Sequence, residues 1–305
     1  MPPLAALLID WIITALWPII AQSGTQLYSG VLFATAGLVI GAVLLAPWLL
    51  TGGRLSRIFS RRMAPSLFMM GVFSGIASVI YISAMAYTTP ANGAIMAQIE
   101  VIYSALLCAF FLKERISLKQ GLASLLVMAG TGLIMAHDLT SPRWKGDLMI
   151  LATPWMFQVS HIFSKRLPKD LDPVTATGGR LLFGIVAMLP FCAWSIARGA
   201  AWTWSAEGML LLCVQGLFMS CLNFVLWYMA ILKMDLAKAT AVLLSYPALT
   251  LVFSWALGKE TIAPLQVAGL LVTMTGAYWI SMLLVKAQKG LPERERVPPE
   301  TGAEV

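Results

Sequence analysis

Charge is what this 305-residue chain has least of. Only 21 lysines and arginines and 14 aspartates and glutamates are present, 11% of all residues, against about 25% in a soluble domain. A separate water-soluble domain is therefore excluded. The two histidines are far apart, and all four cysteines (Cys108, Cys192, Cys213 and Cys221) stand in apolar segments without C-x-x-C spacing. They read as packing residues, so no metal site and no cofactor are expected. No G-x-x-x-x-G-K-[ST] loop occurs, so the chain cannot hydrolyse ATP by that route. H-E-x-x-H and G-x-S-x-G are absent too, and the expectation is that the chain is not an enzyme. No basic patch is interleaved with aromatic residues, which argues against nucleic acid as a partner. The apolar run from Leu4 to Ala21 lacks a basic flank before it and an A-x-A site after it, and it contains Asp10. It reads as a retained first helix rather than a cleaved leader.

Apolar residues, by contrast, make up 59% of the chain, and the mean hydropathy is +0.81. Stretches long enough to span a bilayer occur at 4–21, 27–50, 64–88, 91–112 and 116–137. Five more follow at 147–165, 173–197, 207–231, 236–257 and 262–285. None alternates with period 2, which excludes an outer-membrane barrel. The fold class expected is an all-α integral membrane protein of ten transmembrane helices. Sixteen of the 21 basic residues, among them Arg54, Arg57, Lys165 and Arg166, fall in alternate connections and the tail, whereas four fall in the others. By the excess of Lys and Arg on the cytoplasmic side, both termini are cytoplasmic. The setting expected is a bacterial inner (plasma) membrane, with its lipids as surroundings.

The chain also resembles itself. Displaced by 146 positions, LKERISLKQGLASLLVMAGTGLI from Leu112 falls on GKETIAPLQVAGLLVTMTGAYWI from Gly258, matching Lys113, Glu114, Gln120 and Gly130 with Lys259, Glu260, Gln266 and Gly276. Two repeats are expected, 1–138 and 139–287, followed by a tail at 288–305 whose proline and alternating charges suit a mobile segment. Because five helices are an odd number, the second repeat enters the membrane from the opposite side. Such inverted repeats belong mainly to transporters, with a mid-membrane site at the repeat interface.

Four features carry a resemblance to a known family: the Lys113-Glu114 and Lys259-Glu260 pairs, the IEV and SYP segments at Ile99 and Ser245, Arg180 early in the seventh helix, and Gly130 with Gly276 in the closing helices. The pattern resembles the drug/metabolite transporter superfamily, specifically its ten-helix members with two EamA-type repeats. Val101 departs from it where the second copy has Pro247, and Gly37 departs where the second copy has Arg180. The resemblance implies a secondary transporter of a small organic solute. Gly121, Gly130 and Gly276 would let helices approach closely, within one chain or between two copies of a homodimer.

Several intramembrane polar residues are candidates for a substrate or proton site. Glu100 lies nine residues into the fourth segment, about 13 Å deep, where a carboxylate costs on the order of 3 kcal/mol by insertion scales. It is either a proton or substrate-cation site or a neutral carboxyl bonded between helices. Asn92, Met96, Glu100 and Ser104 share its helical stripe. Asp10 heads a stripe with Thr14 and Trp17, and aligning Trp11 on Trp155 brings Gln158 and His161 opposite them. Asp10 could instead be interfacial and His161 could cap a helix. Asn223 and Trp227 in the eighth segment, Tyr81 in the third and Tyr246 in the ninth complete the candidate wall, together with Trp155. Arg180 is expected to pair with loop carbonyls or a carboxylate, and the Lys-Glu pairs are expected to be structural or gating. The function expected is export of an amino-acid-like or amphipathic metabolite, with proton coupling through Glu100. The competing readings are a lipid-carrier flippase and a membrane-embedded lipid-modifying enzyme.

Overall fold

The computed structural model describes residues 2–100, 102, 103, 106, 118–138, 143–168, 170–231, 243 and 245–290. Lys113 and Glu114 lie outside them, as do parts of the expected fourth and ninth helices and the tail beyond 290. Every regular element among the described residues is helical.

The first repeat begins with α1 (Pro3–Thr25), α2 (Gly30–Leu49) and the short α3 (Arg54–Ile58), followed by α4 (Ala64–Ala84). Start signals sit where the chain enters each helix. Proline occupies the first turn of α1 and of α4, where its missing N–H costs nothing, and the Ser29 hydroxyl accepts from Leu32 N–H to cap α2. Next come α5 (Pro90–Met96), a 3₁₀ turn at Ala97–Ile99 and α6 (Leu118–Asp138).

In the second repeat the expected helix at 147–165 is two helices, α7 (Trp144–Leu151) and α8 (Pro154–Ser164). Pro154 explains the correction, since proline has no N–H to continue the ladder and biases the preceding residue away from helix. The Thr153 hydroxyl takes up the slack by donating to Ile150 O at 2.9 Å. Then follow α9 (Pro173–Ala197), capped by Asp172, and α10 (Ala206–Val214), a π-helical segment at Gln215–Leu222 and α11 (Asn223–Ile231), which together form one rod. α12 (Tyr246–Ala256) and α13 (Pro264–Gly290) close the described chain.

Among the described residues, five helical stretches are long and apolar enough to cross a membrane: α1, α2, α4, α9 and the Ala206–Ile231 rod. Their outward faces are apolar as well, with Val43 65% exposed and Leu210 64% exposed. Water would penalise such a surface and lipid does not.

Connections touch within two opposite ends of the bundle. At one, Arg54 pairs with Asp172 at 3.4 Å and Lys165 Nζ donates to Ile231 O at 2.8 Å. At the other, Ser29 N–H donates to Ala201 O, Thr88 donates to Asp147 at 2.6 Å, and Glu260 accepts from Ala91 N–H at 3.0 Å. Gly52 and Gly53, both at positive φ, turn the chain from α2 into α3 at the first of these ends.

α6 and α13 pack as a pair whose contacts are reciprocal. A Cβ on Gly130 would lie 2.7 Å from Gly269 O and 2.5 Å from Thr273 N, and a Cβ on Gly276 would lie 2.7 Å from both Ala123 O and Val127 N. Gly130 and Gly276, Ala123 and Gly269, and Val127 and Thr273 are each separated by the same 146 positions, so each copy contacts the other as the other contacts it. Backbones this close leave no room for a methyl group.

Gly130→Ala and Gly276→Ala should each destabilise the purified protein by about 1–3 kcal/mol through overpacking. Gly121→Ala, whose Cβ would meet nothing within 4 Å, should stabilise it by about 0.5–1 kcal/mol. Thermal unfolding in detergent checks the contrast.

Candidate functional site

A cavity with about 150 Å³ open to the centres of water molecules lies between the helices, enough for on the order of ten waters or one small organic molecule. Its walls come from both halves of the chain. α1 supplies Asp10, Thr14 and Trp17; α2 supplies Ala34 and Leu38; and α4 supplies Ser78, Tyr81 and Ile82. Opposite stand Phe157 and His161 of α8, Asn223, Phe224 and Trp227 of α11, and Tyr246 of α12. No described residue of α6 or α13 reaches it.

Each interruption of the helices faces this space. The 3₁₀ turn presents Ala97 and Gln98 with Glu100 beside them; the break before α8 presents Thr153 and Pro154; and the π segment presents Gln215, Met219 and Ser220. Irregular backbone at membrane depth is tolerated where it lines a cavity, and π segments are frequent at functional sites.

Glu100 accepts from Gln158 Nε2 at 2.5 Å, which ties the 3₁₀ turn of the first repeat to α8 of the second. Asn223 Nδ2 donates to Thr14 Oγ1 at 2.9 Å, a second tie between repeats. Tyr246 reaches across to α5, its hydroxyl donating to Ala94 O at 3.3 Å. Trp227 Nε1 donates to His161 Nδ1 at 3.4 Å, which holds the histidine ring on the wall and in the tautomer protonated at Nε2. The reading of His161 as a cap is thereby corrected. Trp17 and Tyr81 stack with ring centroids 4.3 Å apart. Asp10 is 1% exposed and on the cavity wall.

Two candidates stand elsewhere. Trp155 packs edge-on against Phe73, with centroids 5.9 Å apart, and is not a wall residue. Arg180 is buried, but its Nε donates to Ser74 Oγ at 2.8 Å and its guanidinium lies on the face of Phe224. Among the described residues, neither a loop carbonyl nor a carboxylate holds it, which corrects the expected pairing. The reason is position: α9 begins at Pro173, so Arg180 is two turns inside the helix, against α4. The stripe through Asn92 is also corrected. Asn92 accepts from Gln266 Nε2 at 2.7 Å, turned toward α13, because the 3₁₀ turn changes the rotation between it and Glu100. Lys259 is exposed, whereas Glu260 satisfies the first turn of α5, a structural role. Sequence reasoning missed Gln98 and Phe157. The signal for Phe157 was its spacing of four before His161, and for Gln98 there was none, since a regular helix would turn it away from Glu100.

The comparisons with known proteins agree with this architecture. A solved crystal structure, 18% identical in sequence, superposes with a TM-score of 0.66 over 93% of this chain and 98% of its own. The chain is 21% identical to an uncharacterized transporter of Archaeoglobus fulgidus over 70% of this chain and 76% of that protein. It is 22% identical to the uncharacterized transporter YyaM of Bacillus subtilis over 71% and 72%. It is 21% identical to the WAT1-related protein At3g02690, chloroplastic, of Arabidopsis thaliana over 64% of this chain and 49% of that protein. The family model described as EamA-like transporter family matches residues 1–136 and 144–282. With a lipid-facing helical bundle around a polar cavity, and a match to both halves of its length, the chain belongs to the EamA-like transporter family.

Proposed function

We propose that this chain is a secondary exporter that carries a small amphipathic organic solute by alternating access, with Glu100 as the protonatable coupling group. The observation that carries this reading is the cavity itself, enclosed between the two repeats and holding two carboxylates. A site at the boundary between two bodies can open to one side and then the other when they rock. Intramembrane carboxylates start with a functional presumption because hydrocarbon penalises them.

The two repeats, 1–138 and 139–287, are the rocking bodies in this proposal, inverted with respect to each other as two five-helix units. Reciprocal packing of α6 with α13, away from the cavity, supports a pseudo-two-fold relation between them. Both termini are placed in the cytoplasm of a bacterial inner membrane, on the grounds of the basic residues gathered around Arg54 and Lys165 at one end of the bundle. In this scheme Gln158 holds Glu100 through a hydrogen bond that either protonation state of the carboxyl can accept. A conformational change that parts α8 from the 3₁₀ turn would break that bond and release the carboxyl to exchange its proton.

Mass-spectrometric profiling of spent medium and cell extract, with membrane levels matched, tests the exporter reading. Cells with the wild type should enrich one or a few metabolites outside, and cells with Glu100→Gln should lose at least tenfold of that gradient. Full transport by Glu100→Gln at every pH would rule out its coupling role. The orientation has its own check in a background with the four cysteines replaced by alanine. Arg57→Cys should react with a membrane-impermeant maleimide only after the cells are opened, whereas Trp204→Cys should react on intact cells.

A further inference from the structure

The polar groups on the cavity wall are not evenly served. Glu100, Asn223, Thr14, His161 and Tyr246 have the partners described above. Other wall residues keep buried polar atoms with no hydrogen-bond partner among the described residues: Asp10 Oδ1, Gln98 Oε1, Gln215 Oε1, the Tyr81 hydroxyl and Trp17 Nε1. Three of these five are acceptors only, one is a hydroxyl that serves either way, and one is a donor. Buried polar atoms are satisfied in the great majority of proteins, so a cluster on one wall needs an explanation. The lack is chiefly of donors, and a bound solute is the natural source of them.

Charge points the same way. Asp10 and Glu100 line the cavity, and among its described wall residues there is no lysine or arginine. Arg180 is one layer back, covered by the ring of Phe224. Glu100 already accepts from Gln158, whereas Asp10, 1% exposed, has an oxygen with no partner. Its identity as an acceptor does not depend on which way an amide is turned. Asp10 is also one helical turn from Thr14 and two from Trp17, whose ring is stacked on Tyr81. An acceptor-rich pole with a negative charge thus adjoins flat aromatic faces, which attract both apolar bodies and cations.

We infer that the solute is a primary organic amine bound as its ammonium ion, with Asp10 as its counter-charge and the Trp17–Tyr81 pair as the platform for its apolar body. This rests on the transporter reading above and narrows its substrate class. An ammonium offers three N–H donors to a wall short of donors, and the positive charge meets a carboxylate in a low-dielectric setting where the pairing is strong. A free carboxylate on the solute would find no counter-charge on the wall, so amines are preferred over the corresponding α-amino acids.

The test is binding to the purified full-length protein in lipid nanodiscs, read by calorimetry and by quenching of tryptophan fluorescence. The ligands are 2-phenylethylamine, 2-phenylethanol and phenylalanine, which share one aromatic body. The amine should bind at least tenfold more tightly than either of the others. Asp10→Asn should weaken the amine tenfold or more while leaving 2-phenylethanol unchanged, and Asp10→Glu should restore part of the loss. A thermal unfolding midpoint within a few degrees of wild type shows that each variant is folded. If Asp10→Asn does not fold, Trp17→Leu takes its place and should weaken all three ligands.

Equal binding of the amine and the alcohol, tighter binding of phenylalanine, or an amine affinity unmoved by Asp10→Asn would each overturn the inference. So would failure of all three ligands to bind. None of those results touches the exporter reading, which stands or falls on the metabolite gradient.

Discussion

The requirement that every backbone N–H and C=O find a partner inside hydrocarbon governs this structure. It explains why the regular elements are helical, and it also fixes where a helix can be broken. The 3₁₀ turn at Ala97–Ile99, the break before Pro154 and the π segment at Gln215–Leu222 all open onto the one cavity. There the freed groups meet polar side chains or a solute, whereas on the lipid side they would meet nothing. Cavity and irregular backbone are therefore two aspects of a single solution.

Reciprocity is the second theme. α6 and α13 cross at glycines that each occupy the place the other requires, and the same relation recurs nearer the cavity. A Cβ on Gly71 would meet Arg180 O and Phe183, and a Cβ on Gly216 would meet Gly37 O and Ile40. Phe183 and Arg180 stand 143 positions after Ile40 and Gly37, so the contacts correspond. Symmetry stops at the side chains: where the second repeat carries Arg180, the first has Gly37, and Gln215 fills the room, its Cγ 2.6 Å from where a Cβ would sit. The two copies thus diverge in side chains even beside a shared close crossing.

Much of this was legible in the residues. Apolar run lengths anticipated the bounds of α1, α2 and α4 to within four residues and those of α9 to the residue, since a bilayer sets helix length and proline or a capping oxygen sets the start. Asp10, Glu100, Gln158, His161 and Tyr246 were recognisable because polar atoms in apolar runs are conspicuous. Partners were not legible. Nothing in the spacing tells Glu100 that Gln158 is its donor, or turns Asn92 toward Gln266, because both depend on how α5 unwinds. Trp155 misled because an aromatic ring suits packing between helices as well as a cavity wall, and its partner is Phe73. Arg180 misled because distance from a helix start does not reveal which neighbouring helix will lie alongside.

The π segment has a consequence for how the two copies came to differ. At its start, Gly216 corresponds to Gly71 at a distance of 145 positions; after it, Ala230 corresponds to Ala84 at 146. One residue separates the two registers, and on a helix one residue is a rotation of about 100°. Substitution alone could not have turned one copy into the other. A change in chain length was needed, of the kind that a π turn takes up within a helix. The difference between the two copies is thus written into the length of the backbone as well as into its side chains.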